Sequence, residues 1–357
     1  MRTVSLVACL GLAAAAPIAS AQWSVVNLNP PDGQRSFAQG VGASGQAGWS
    51  RIGAVDRASL WLGSAGSRID LHPAGSDLSY AYGVAGGQQV GYARFGADFH
   101  AGLWRGSAAS WVDLHVAGAR ESQARATDGE RQVGLVVTGD GVTRASLWSG
   151  TRESWIDLTP AGATFSRALG VSGDAQVGQA TVGGLGRASL WHGAAGTWVD
   201  LNPAGAGGGS LALGVFGGQQ VGAVALPGSL AAGLWHGSAD TWVSLHTAGF
   251  TESTAYATDG TNQVGRARVG GGVNRASLWR GTAGSWVDLH ALISADYTSS
   301  EATGVWSDGQ WTYVSGHGFH RARNRSEALL WRTPVPAPSP AAAFMIAGLA
   351  AARRRRP

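Results

Sequence analysis

The sequence predicts an all-β fold: a seven-bladed β-propeller of four-stranded blades, closed by its N-terminal strand. Three observations carry that expectation. A Trp-rich phrase recurs every 43 or 44 residues, each recurrence holds four short extended segments, and a lone strand at the start matches one missing at the end. The phrase reads RASLWSGTRESWIDLTPAG at 144–162, RASLWHGAAGTWVDLNPAG at 187–205 and RASLWRGTAGSWVDLHALI at 275–293. Self-similarity at such a period marks a repeat architecture, and four strands per repeat fit a propeller blade.

The elements follow in order. The first is Trp23–Leu28, a W-V-x-L strand standing alone. Each unit then supplies a Ser/Ala/Gly-Val segment, a Q-V-G segment, an L-W segment and a W-V-D-L segment. In one full unit these are 212–215, 220–223, 232–235 and 242–245. Short runs of Val, Leu and Trp between Gly, Ser, Asn and Asp clusters read as strands, and no segment holds a helical period. His236–Thr241 suits a hairpin turn. The Leu-Trp falls at Trp61, Trp104, Trp148, Trp191, Trp235 and Trp279, and a seventh copy ends at Trp331 without the W-V-D-L that should follow. Residues 23–28 supply that strand, and closure removes a free edge. A β-solenoid is the alternative; it would call for polar caps at both ends.

The termini read as addresses, giving three domains: 1–21, 22–333 and 334–357. Residues 1–21 have one arginine, an apolar run and Ala19-Ser20-Ala21 before Gln22, the order of a secretory leader cleaved between Ala21 and Gln22 by signal peptidase. Cleavage there removes Cys9, the single cysteine, so no disulfide is expected. The other end holds a spacer with Pro336, Pro338 and Pro340, a twelve-residue apolar run, and Arg353, Arg354, Arg355 and Arg356. The run is shorter than the ~20 residues a spanning helix needs. Arginines after an apolar segment stay on the cytoplasmic side. This order resembles the PEP-CTERM class of sorting signals, with Pro-Ala-Pro-Ser-Pro in place of Pro-Glu-Pro. The resemblance implies processing by an exosortase-type enzyme, transient membrane association, and an exported protein at the cell surface or outside the cell.

The sequence pI of about 9.7 belongs to the ends. There is no lysine, and between the leader and the final arginine run 21 arginines face 22 acids. No basic run of the kind that neutralises phosphates lies between them, which argues against nucleic acid as a partner.

The repeat itself resembles the HAF-type extracellular repeat, whose consensus runs His-Ala-Phe-Leu-Trp, Asp-Leu-Gly and Asn-x-x-Gly-x-Val-Val-Gly. The equivalents are Arg187-Ala188-Ser189-Leu190-Trp191, Asp200-Leu201 and Gln176-Val177-Gly178, with Arg for His and Ser for Phe. The resemblance covers nearly all of 23–331 and implies an exported protein without an assigned chemistry.

No catalytic signature is present: no G-x-S-x-G, no Walker loop, no calcium loop. Thirteen of the sixteen Trp sit at repeat positions and are expected between blades; Trp49, Trp306 and Trp311 fall outside the register. Asp70, Asp113, Asp157, Asp200 and Asp288 recur once per unit and suit turn hydrogen bonding. Asn27 and Ser244 replace them in two copies without an obvious change elsewhere. His72, His115, His246 and His290 share a position with Asn29, Thr159 and Asn202, as in an exposed turn. The last unit, 52 residues from Trp279 to Trp331, breaks the symmetry. Its segment Ser315–Arg325 is expected as a loop, and His317, His320, Arg321, Trp306 and Trp311 are the candidate binding residues. The expectation is a binding or structural module without cofactor or bound metal, its partner an extracellular polysaccharide or surface protein. A secreted propeller-fold carbohydrate-active enzyme, hydrolase or lyase, is the alternative.

Overall fold

A computed structural model describes residues 22–270 and 272–335. The leader with Ala21, and Pro336, Pro338, Pro340 and Arg353–Arg356, lie outside the described residues; Gln22 is exposed. The fold is all-β, with single 3-10 turns and no α-helix among the described residues. Strands fall into seven successive units. Their first strands are Gly33–Gly42, Leu78–Ala85, Glu121–Thr127, Ala163–Ser172, Ser210–Phe216, Phe250–Thr258 and Tyr297–Ser307. In each of the first six units two further antiparallel strands follow, then a two-residue strand after a 3-10 turn. Hydrogen bonding joins the units into five sheets, because units two and three, and units five and six, share one parallel bridge each. The last unit lacks a fourth strand of its own. Ser24–Asn27 takes that place, antiparallel to Arg325–Pro334 in the register Ser24↔Arg332 to Asn27↔Leu329.

The repeated letters have separate structural duties. In A-S-L-W all four residues are buried, because each strand is packed on both faces by neighbouring units. Leu60 and Ala58 face forward into the cluster that holds Ala81, Val84 and Trp104 of the next unit. Trp61 faces backward, against Leu28, Ala328 and Leu330. A Leu-Trp pair therefore fills two interfaces at once, and all seven of these Trp are fully buried. The Gln of Q-V-G pins the following turn: Gln176 Oε1 accepts the Gly193 N–H at 2.7 Å. Its Gly has no room for a side chain, since a Cβ on Gly178 would stand 1.9 Å from the Arg167 carbonyl oxygen.

The repeated aspartate has two bonds. Asp200 Oδ1 accepts the Asn202 N–H at 2.8 Å, and Oδ2 accepts from Arg187, the Arg of R-A-S-L-W, at 2.6 Å. The same pair is Arg57–Asp70, Arg144–Asp157 and Arg275–Asp288, and it becomes His100–Asp113 in the second unit. The two exceptions are compensated, contrary to the expectation from sequence. Where Ser244 replaces Asp, Ala231 replaces Arg, so both charges are gone. Where Asn27 replaces Asp, Glu327 replaces Arg, and Asn27 Nδ2 donates to Glu327 Oε2 at 2.6 Å. Donor and acceptor have changed sides across the two ends of the chain. Glu327 is fully buried and also accepts from Tyr297 at 2.8 Å, Arg325 at 2.7 Å and Arg323 at 3.0 Å. Burial alone would raise its pKa, but these donors hold it at about 2.

The segment 315–325 is not a loop. Trp311–His320 and Arg325–Pro334 are ten-residue strands joined by a turn at Arg321–Asn324. Gly316 pairs with Ala302 as Gly48 pairs with Ala38, so it is the Gly of Q-V-G with Val314-Ser315 before it. The lost Gln and Val hide the strand from pattern reading, and the excess length of the unit goes partly into longer strands.

Candidate binding site

The register of each unit is set by one buried serine on its first strand: Ser36, Ser79, Ser122, Ser166, Ser210, Ser253 and Ser300. Its Oγ accepts a backbone N–H from the third strand of the preceding unit, as Ala58 N–H to Ser79 at 2.9 Å. The last unit donates to the first in the same way, Ala328 N–H to Ser36 at 2.9 Å. The serine also meets the polar residue that follows W-V-D-L: His72 at 2.9 Å, His115 at 2.9 Å, Thr159 at 2.8 Å, Asn202 at 2.7 Å. That position is a half-buried strut between units rather than the exposed turn expected from its His/Asn/Thr interchange. What it needs is a polar atom at the right reach, which all three side chains supply. Burial lowers the pKa of His72, His115 and His290, the neighbouring Arg57, His100 and Arg275 adding to the effect.

The residue three places after each serine sits at a β-bulge of the first strand, and all seven of these residues line one space between the first strands, joined by Phe37 and Glu301 from one place after the serine. The first strands of successive units come close. A Cβ on Gly40 would meet the Tyr82 carbonyl oxygen at 2.8 Å, and one on Gly304 would meet Gly40 Cα at 3.1 Å. The seven first strands line a single cavity of about 640 Å³. A notch of about 320 Å³ adjoins it where the fifth unit presents the small or apolar Leu211, Leu213 and Ala223.

Here the repetition stops. One place after the serine stand Phe37, Tyr80, Gln123, Arg167, Leu211, Thr254 and Glu301; three places after it stand Gln39, Tyr82, Arg125, Leu169, Leu213, Tyr256 and Thr303. One side is aromatic: Phe37 stacks on Trp49 at 4.5 Å, Trp49 meets Tyr80 edge-on at 5.0 Å, and Tyr80 meets Tyr92 at 5.2 Å. Arg125 lies 4.5 Å over the Tyr82 ring. The acids are tied. Asp56 accepts from Arg51 at 2.8 Å, Arg35 at 3.1 Å and Tyr80 at 2.8 Å. Glu301 accepts from Asn274 at 2.8 Å, Arg266 at 3.1 Å and Tyr256 at 3.2 Å. Burial, with the adjoining carboxylate, raises the Tyr80 and Tyr256 pKa values and keeps both phenols protonated.

His317 lines this cavity against Phe37, 4.6 Å away, and its Nδ1 has no partner. Burial lowers its pKa against the pull of Glu301, so the ring is neutral. The other candidates lie elsewhere. His320 is buried edge-on against Tyr297 at 5.0 Å, and Arg321 opens the exposed turn. Trp306 stacks on Tyr313 at 5.5 Å and packs into the core between the last and first units; Trp311 sits under Arg332. Trp311 and His320 are opposite ends of one ten-residue strand, about 30 Å apart at strand rise, so the five residues do not form one site. No group of three His, Cys, Asp or Glu placed to hold a metal occurs among the described residues.

No protein-family model matches the chain, and no curated protein matches it. Solved structures do. Puromycin hydrolase superposes with a TM-score of 0.52 at 16% identity, over 84% of this chain and 52% of that one. Its S511A mutant complexed with PGG gives 0.52 at 15% identity, over 85% and 53%. The chain has a β-propeller fold. It spans about half the length of the puromycin hydrolase chain, and at such identity the likeness speaks for the fold alone. A TolB from Agrobacterium tumefaciens aligns along its whole length at 10% identity, over 89% of this chain, with a TM-score of 0.48.

Proposed function

We propose that this propeller has seven blades closed into a ring by Ser24–Asn27, is exported, and binds a small polar ligand in the axial cavity. The observation that carries the reading is the contrast between shared and unshared positions. Packing Trp, turn Gln, register serine and strut residue recur from blade to blade because every blade needs them. The axial positions carry Phe, Tyr, Gln, Arg, Leu, Thr and Glu, and a specific ligand needs such unlike groups converging on one place. The cavity of about 640 Å³ has the size of a small-molecule site. The carboxylates favour binding over acid–base hydrolysis, since Asp56 and Glu301 each accept from at least three donors and sit against arginines. Export rests on the leader-like residues 1–21, and surface processing on the Pro-rich, apolar and arginine segments after 334.

The test is a panel of neutral and acidic sugars and small carboxylic acids, read by shift in melting temperature on the exported protein. Hits are measured again on Leu213→Trp, which fills the space shared by the cavity and its notch. Loss of binding with retained folding supports the reading; unchanged binding places the site elsewhere, and a panel with no hit removes it.

A further inference from the structure

Two arginines differ from the rest: Arg125 lines the cavity, and Arg167 stands on the next unit against Gln179 of the notch wall. Arg35 and Arg51 neutralise Asp56, and Arg266 neutralises Glu301. Arg125 and Arg167, on adjacent blades, have no carboxylate within ion-pair distance among the described residues. Their hydrogen bonds go to amides: Arg125 to Gln123, and Arg167 to Gln179 at 3.3 Å. The Nε of each is buried and unpartnered. Glu121, the nearest acid along that strand, is engaged by the Gln123 amide. Burial lowers the Arg167 pKa, and the Arg125 charge lowers it further. Two half-buried like charges without a counterion cost stability and are kept where they serve a ligand.

We propose that the axial site takes a sugar-sized oxyanion, a hydroxylated body bearing a carboxylate or phosphate, with Arg125 in the cavity wall and Arg167, bonded to Gln179 at the adjoining notch, holding the charged group. This rests on the axial cavity being the binding site. A guanidinium presents a planar fork of donors that fits two oxygens of one oxyanion. Arg125 is pre-set by its stack on Tyr82, which leaves little rotamer freedom to lose on binding. Hydroxyls of the body meet Gln39, Thr303 and the Tyr256 side of the cavity, and its apolar face meets Trp49 and Phe37.

The experiment is isothermal titration of the full-length protein with glucuronate, glucose 6-phosphate and glucose, in wild type and in Arg125→Gln, Arg167→Gln and Leu213→Trp. Either acid is expected to bind at least tenfold tighter than glucose; which acid is tighter distinguishes carboxylate from phosphate. Each Arg→Gln lowers acid affinity tenfold or more and leaves glucose unchanged. The same two variants melt at or above the wild-type temperature, because a repulsive pair is relieved; arginines kept for structure would instead lower it. Glucose binding as tightly as the acids, with all binding lost in Leu213→Trp, overturns the oxyanion and leaves the cavity reading standing. Absence of acid binding, or acid binding unchanged in both Arg→Gln variants, also overturns it.

Discussion

Asn27→Asp is the sharpest perturbation of the pairing between the two ends of the chain. It restores the residue found at the equivalent position in five of the other six units, so repeat consensus alone would count it as stabilising. In the structure Asn27 Nδ2 donates to Glu327 Oε2 at 2.6 Å, and Glu327 is fully buried. The substitution sets two carboxylates against each other. Two like charges about 4 Å apart cost about 4 kcal/mol at an effective dielectric of 20. Arg323 and Arg325 offset part of that, and the lost hydrogen bond adds about 1 kcal/mol, leaving roughly 2–4 kcal/mol. At ~2 °C per kcal/mol for a chain of this size, the melting midpoint falls by roughly 4–8 °C at neutral pH. The new carboxyl has its folded-state pKa raised by its neighbour, so the penalty is full at neutral pH and fades as pH falls through that raised value. Thermal unfolding by circular dichroism at pH 7 and pH 4 measures both parts. An unchanged or raised midpoint at pH 7 would refute the pairing of the two ends.

Four further outcomes follow. Glu327, held at about 2 against an ordinary 4.5, contributes stability present above 4.5 and lost as pH falls towards 2; Glu327→Gln flattens that part of the acid-unfolding curve. His72, His115 and His290 are stabilised neutral, so stability falls as pH drops below the unfolded value of 6.5; replacing all three with Asn, as at Asn202, removes that slope in pH-dependent melting. Trp191→Ala costs about 3–5 kcal/mol in denaturant unfolding, whereas the half-buried Trp198→Ala costs clearly less. Deleting 336–357 leaves the melting midpoint unchanged and shifts the protein between cell fraction and medium; equal partition of both forms would count against a sorting tail.

Much of the fold is legible because it repeats. Leu-Trp, Q-V-G and W-V-D-L announce strands through turn residues and apolar letters, and Trp23–Leu28 matches the strand absent after Trp331. What pattern reading misses is pairing across units. Glu327 and Asn27 look like unrelated irregularities until strand register sets them side by side, and the histidines after W-V-D-L look exposed until Ser79, Ser122 and Ser300 arrive from the next unit. The site is harder still. The letter after each register serine varies, and in sequence variability reads as tolerance. Only the approach of the first strands to one another turns Phe37, Tyr82, Arg125 and Glu301 into neighbours of a common cavity. The last unit drew attention by its length, yet only His317 of its five candidates reaches that cavity.

Amide hydrogen exchange of residues 24–28 tests the closed ring most directly. In the structure Leu28 N–H donates to the Ala328 carbonyl at 2.8 Å, and Ser24–Asn27 ladders along Leu329–Arg332. A closed ring predicts that the inward-bonded amides of this segment exchange as slowly as those of Arg325–Pro334 and are released together with them on global unfolding. Exchange within seconds, independent of the last strand, would contradict it.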